Sequence, residues 1–366
     1  MKTYIFTSSL IILLLIVIII SLKKDPSLSA SSMHREPELI LGKSNSNNLY
    51  SSLKKTSNEY KAMLKRYKAT AAQGDSIAQY NLGIMYELGH GVARDSQVAA
   101  KWYRLAAEQG HSQAQYNLGL MYYKGDGVPL DYFESVKWHR KAAEQGHSLA
   151  QYSCGVMYEN GLGIKQDFKE AMKWYLNAAE QGHALAQYNL GVLYFSGNGC
   201  PQDLKEALKW YIKAAEQGSA LAQHNLGVMH YRGEGVTQSY EEALKWYLRS
   251  AEQGDIGSQN NLAIMYAEGT GVNQDNKNAI KWYLRAAEQG CVASQNNLGV
   301  MYIKMQDYLQ AYMFFDIASA NGCYPATENL QRLSEKMAAE QIAEAQEMAK
   351  KWRKKHSQQI DLFLED

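Results

Sequence analysis

Cysteine is nearly missing from this chain: four thiols in 366 residues exclude a disulfide-stapled scaffold. Proline is almost as rare, with five residues, so little in the sequence interrupts long helices. An excess of charge is missing too. Lys plus Arg number 38 against 37 for Asp plus Glu, and a net charge of +1 excludes the concentrated positive field that a phosphate backbone demands. The sequence holds no P-loop, no Rossmann glycine fingerprint after a strand, no His-Glu-x-x-His and no calcium loop. No metal, no cofactor, no small-molecule substrate and no nucleic acid is therefore expected, and the chain is not read as an enzyme.

What is present is uneven. Tyr4 to Leu22 carries no charge and is followed by Lys23, Lys24 and Asp25. Such a run is long enough to cross a bilayer, and residues 4–22 read as a transmembrane anchor or a signal peptide behind a short tail, residues 1–3. Lys2 and the amino terminus balance Lys23 and Lys24, so the positive-inside rule leaves the orientation open. Residues 23–58, rich in Ser, Asn and Lys, read as a polar linker.

The organising feature is a period of 36 residues. Gln-Gly recurs with its glycine at 74, 110, 146, 182, 218, 254 and 290, and Trp102, Trp138, Trp174, Trp210, Trp246 and Trp282 keep the same beat, as does a glutamine from Gln79 to Gln295. A fixed period of this size means a solenoid. In the fourth unit, Ala186, Leu190 and Tyr194 lie four apart on one stripe of a first helix, A, with Gly191 beside them for close helix approach. Gly197 and Gly199 end it. Asp203 with Glu206 reads as a capping box opening a second helix, B, and the pattern repeats as Asp131 with Glu134, Asp167 with Glu170, Ser239 with Glu242 and Asp307 with Gln310. Helix B carries Ala207, Tyr211, Ala214 and Ala215 as its packing face. The expected fold is all-α, a right-handed α-solenoid of helix-turn-helix repeats. A capping half-repeat is expected over 59–74, seven repeats over 75–322 and capping helices with a tail over 323–366.

The string A-Q-Y-N-L-G-x-x-Y-x-x-G-x-G-V followed by D-x-x-x-A-x-K-W-Y-x-x-A-A-E-Q-G resembles the Sel-one-like repeat family of tetratricopeptide-like solenoids. The resemblance implies a non-enzymatic adaptor that scaffolds membrane-associated complexes, and it points the flank of helix A toward a concave binding side. On that flank lies an apolar, tyrosine-rich track with an asparagine ladder beside it. The candidate partner-binding residues are Tyr116, Asn117, Tyr123, Tyr152, Tyr188, Asn189, Phe195, His224, Asn225 and Tyr231. A carboxamide both donates and accepts, so the ladder fits the backbone of an extended peptide, although the same residues also suit the seams between helices. The chain is thus expected to bind a protein or extended peptide while tethered to a membrane, with the solenoid on the extracytoplasmic side. A secreted or periplasmic form after cleavage and a cytoplasmic-facing form are the alternatives. Two other functions stay open: a cell-wall or β-lactam-binding hydrolase-like protein, for which Ser51-x-x-Lys54 and Ser52-x-x-Lys55 are the only motif, and a structural envelope spacer.

Overall fold

The computed structural model describes residues 59–364, in which there are seventeen helices and no strand. The apolar run at 4–22, the linker and the two Ser-x-x-Lys motifs lie outside the described residues. No helix among the described residues is long and apolar enough to cross a membrane.

The described residues divide into two compact units, 59–99 and 100–364. In the first, α1 (59–71) and α2 (Ser76–Leu88) pair, with the Gln79 carboxamide donating to the Ala71 carbonyl at 3.3 Å. Helix α3 (Ser96–Glu108) carries the boundary. The second unit repeats one hairpin. The A helices are α4 (Ser112–Lys124), α6 (Ser148–Asn160), α8 (Ala184–Ser196), α10 (Ala220–Arg232), α12 (Ile256–Glu268) and α14 (Val292–Lys304). The B helices are α5 (Tyr132–Glu144), α7 (Phe168–Glu180), α9 (Leu204–Glu216), α11 (Tyr240–Glu252), α13 (Asn276–Glu288) and α15 (Tyr308–Ala320). Two further helices follow, α16 (Tyr324–Ser334) and α17 (Ala339–Leu364).

The regularity has a steric cause. The A-helix glycine leaves room for an aromatic ring from its B helix: a Cβ built on Gly191 would lie 2.6 Å from the Tyr211 ring, and one on Gly227 would lie 2.5 Å from Tyr247. Ala207, Ala214 and Ala215 let the same helices close together, and all are buried. Each A helix but the last ends on a left-handed glycine such as Gly161, φ 67°, whereas α14 ends on Met305, φ −88°.

The capping boxes are only half formed. Asp131 Oδ1 accepts the amides of Phe133 and Glu134 at 2.9 and 3.1 Å, as an N-cap should. The amide of Asp131 itself, however, donates to the Tyr122 carbonyl at 2.9 Å, and Glu134 instead receives Lys137 and the Trp138 indole. The same swap holds at Asp167, Asp203 and Ser239, whose amides reach Tyr158, Tyr194 and His230. Helix A supplies a closer acceptor than the glutamate, because the loop folds back to lay the two helices antiparallel.

The second loop glycine sets how successive hairpins meet. Gly163 has φ 68°, and a Cβ on it would overlap the backbone carbonyl of Tyr132 at the start of the preceding B helix. Gly146 has φ 85° with open space around it. Gly146→Ala is therefore expected to cost about 1–2 kcal/mol of left-handed strain, and Gly163→Ala to cost more by about 1 kcal/mol or above for the overlap. Urea midpoints of the two variants check this. Equal losses would show that the loop shifts freely.

Candidate functional site

All ten sequence-derived candidates are half-buried. Most are already engaged within the chain. Tyr116 stacks on His147 with ring centroids 4.8 Å apart, and Tyr152 on His183 at 4.6 Å. On their other sides these rings meet B-helix partners, Tyr116 against His139 at 5.4 Å and Tyr152 against Tyr175 at 5.9 Å. Tyr188 meets Tyr211 at 6.0 Å and His224 meets Tyr247 at 5.8 Å. Tyr123 and Tyr231 lean on the first B-helix tyrosines, Tyr132 and Tyr240, at 5.4 and 5.1 Å. Phe195 packs at the edge of the core around Tyr211 and Leu226.

The histidines in these stacks are N-caps. The amide of Ala150 donates to His147 Nδ1 at 3.2 Å, and that of Ala186 to His183 Nδ1 at 3.2 Å. Accepting requires a neutral ring, and burial lowers the pKa of both. One repeat on, Ser219 replaces the histidine cap, and two repeats on the pattern changes further: His224 replaces the tyrosine and Asp255 the cap. His224 Nδ1 lies 3.1 Å from Asp255 Oδ1 and 2.9 Å from the hydroxyl of the buried Ser258.

The asparagine ladder faces tyrosine hydroxyls. Asn189 interacts with those of Tyr152 and Tyr175, and Asn225 with those of Tyr188 and Tyr211. Asn117 is half-buried on the same line. Glu159 is the one acid among the inward positions of repeats two to five, and its carboxylate accepts the Tyr175 hydroxyl at 2.6 Å. Desolvation first, and this bond second, push the Tyr175 pKa up. Burial likewise raises the pKa values of Tyr116, Tyr152, Tyr188 and Tyr231, so at neutral pH these four keep their phenolic protons.

What remains outward is a ridge of leucine. Leu149, Leu185 and Leu221 hold equivalent places in three successive A helices and are 44%, 49% and 50% exposed. They lie one turn before Tyr152, Tyr188 and His224.

A second amide ladder was not legible as such in the sequence. Gln115, Gln151, Gln187, Gln223, Gln259 and Gln295 are 3–5% exposed. Each donates to a carbonyl eight residues back in the preceding B helix, as Gln187 does to Ala179 at 3.0 Å, and each accepts from the end of its own hairpin, as Gln187 does from Gln217 at 2.7 Å. Its signal in the sequence is a pair of glutamines 30 apart that recurs in every unit but the last, where Asn321 stands in for the second. Among the described residues no group of three His, Cys, Asp or Glu side chains could hold a metal ion.

The repeat is confirmed by comparison. The Sel1 repeat model matches residues 76–111, 112–147, 148–183, 184–219, 220–255, 256–291 and 292–323. The chain belongs to the Sel1 repeat family. The Sel1 repeat protein from Oxalobacter formigenes is 35% identical, with 66% of this chain covering 95% of that one and a TM-score of 0.56. A protective antigen of uropathogenic Escherichia coli strains, c5321, which displays the SLR fold, is 31% identical over 81% of this chain and 80% of that one, with a TM-score of 0.41. A comparison with curated proteins gives no match. As a Sel1 repeat protein, the chain is a repeat solenoid of the kind that serves protein–protein interaction.

Proposed function

We propose that this Sel1 repeat protein is a non-catalytic scaffold that holds a protein or extended peptide along the A-helix flank. Residues 4–22 would tether it to a membrane, with the solenoid on the extracytoplasmic side. The observation that carries the reading is the row Leu149, Leu185 and Leu221, three large apolar side chains left half exposed at one repeat's spacing. Water penalises such a row at roughly 25 cal/mol per Å² of apolar surface, so an apolar partner gains by covering it. The tyrosines behind it, with the neutral His147 and His183, form an amphipathic floor, and the asparagine carboxamides keep hydrogen-bonding capacity beyond the hydroxyls they meet.

The leucines also make the better test. Substituting Tyr116 or Tyr152 would disturb rings that stack on N-cap histidines, whereas the leucines stand clear of the core. In the full chain, Leu149→Ser, Leu185→Ser and Leu221→Ser together are expected to leave the circular dichroism spectrum intact. They should lower crosslinking of partners in native membranes by about tenfold or more, as loss of an interface centre does. Unchanged crosslinking by the folded variant would remove the track from the reading.

A further inference from the structure

Two clefts between successive A helices share one plan. The first, about 170 Å³, is lined by Val228, Tyr231, Arg232, Tyr247, Asn261 and Ile264. The second, about 300 Å³, repeats it at the far end of the array: Val300 and Ile303 of α14 stand for Val228 and Tyr231, Phe315 of α15 for Tyr247, and Asn329 of α16 for Asn261. The clefts differ in charge. Arg232 is paired with Glu234 at 3.6 Å. In the second cleft Arg332 and Lys336, both exposed, join the apolar wall, and the side chain of neither forms a hydrogen bond or ion pair with any described residue. An apolar seat rimmed by two free cations and a carboxamide, with no acid in its lining, selects an acidic and apolar occupant.

The chain itself carries such a segment. Residues 360–366 read Ile-Asp-Leu-Phe-Leu-Glu-Asp, four apolar side chains with three acids and no base. It follows the basic run Lys350 to His356, from which Arg353 pairs with Asp316 at 2.7 Å and His356 packs on Trp352. Those contacts fix where the segment cannot go. Helix α17 starts three residues beyond Lys336, runs past α15 through Ala345 and Trp352, and brings His356 to within 4.0 Å of Glu288 on α13. A helix of 26 residues is about 39 Å long, so Leu364 stands more than about 25 Å from the cleft beside its starting end. Held in α17, the segment stays away from the cleft of its own molecule, so a second copy is taken as its source.

We infer that the Arg332 and Lys336 cleft receives the 360–366 segment of a second copy, so that the chain self-associates through it. The Ile, Leu and Phe side chains enter against Val300, Ile303 and Phe315, and the carboxylates meet the two cations. This goes beyond the scaffold reading, because the cleft and the leucine track can be altered separately.

The test uses the full chain in detergent micelles and a fluorescein-labelled peptide of residues 357–366. Anisotropy is expected to show saturable binding, weakened tenfold or more by Arg332→Glu with Lys336→Glu and unchanged by the triple leucine variant. Mixed isotope-labelled copies crosslinked through residue 363 should give products between copies, and these should fall with the same charge reversal. Peptide binding that survives charge reversal, absence of peptide binding, or crosslinks confined within one copy would each overturn the inference. Loss of partner crosslinking in the leucine variant with peptide binding intact would leave this inference standing on its own.

Discussion

Replacing His139 with phenylalanine is expected to stabilise the second repeat and to remove most of its sensitivity to acid. His139 stands where other units place Tyr175, Tyr211 and Tyr247, and Phe315 shows that the site accepts a ring without a hydroxyl. The histidine is 1% exposed, and its Nδ1 has no hydrogen-bond partner. Burial, with a smaller push from His147, lowers its pKa to about 4. An unfolded histidine titrates near 6.5. Between those values the unfolded chain binds a proton that the folded one refuses, so stability rises with pH across this window. The contribution is fully present above about pH 6.5 and is lost as pH falls toward 4. A shift of this size is worth roughly 3 kcal/mol, to which removal of an orphaned polar atom adds about 1 kcal/mol at neutral pH. Urea midpoints at pH 7, 5.5 and 4.5 should show the gap between His139→Phe and parent widening on the acid side. A constant gap would mean that the ring is protonated in place, with a partner or water.

Gln187→Glu should act in the opposite sense. The glutamine donates to the Ala179 carbonyl and accepts from Gln217, so its amide is oriented at both ends. A carboxylate there keeps the second bond but sets an anion against a carbonyl in a site 4% exposed. A buried unpaired charge costs about 3 kcal/mol or more, and burial raises the acid's pKa above its usual 4.3 or so. The variant is therefore expected to lose about 3 kcal/mol at pH 7 and to recover part of it as the pH falls and the acid is protonated. Gln187→Leu, which leaves Gln217 free to meet water, should lose only about 1–2 kcal/mol, without that recovery. Because units touch only their neighbours, each loss is read locally, by hydrogen exchange in α8 and α9. Equal losses for the two variants at every pH would argue that this amide is not oriented.

The two ladders show where sequence reading reached and where it stopped. Asparagine and glutamine recur with the same period, and periodicity alone cannot rank them. The asparagines sit half-buried against tyrosine hydroxyls, whereas the glutamines are sealed between hairpins. The two residues of offset between Gln187 and Asn189 turn the side chain by about 200° around the helix, and that rotation decides which amide meets carbonyl and which meets the flank. The tyrosines of the track stack on His147 and His183, partners that stand 31 residues ahead in the next unit and so beyond the reach of periodicity within one helix.

By itself the sequence determined the all-α repeat, the places where helices begin and end, and the packing stripes, because these follow from side-chain volume, capping chemistry and glycine conformations within one 36-residue unit. The tertiary structure decided which groups meet across units. The B-helix N-cap amides take helix-A carbonyls rather than glutamates, the glutamines relay between hairpins, the leucines stay uncovered, and the last cleft gathers two free cations. Such pairings depend on the angle at which one hairpin lies on the next. That angle is set by the summed packing of whole faces, and no local run of residues encodes it.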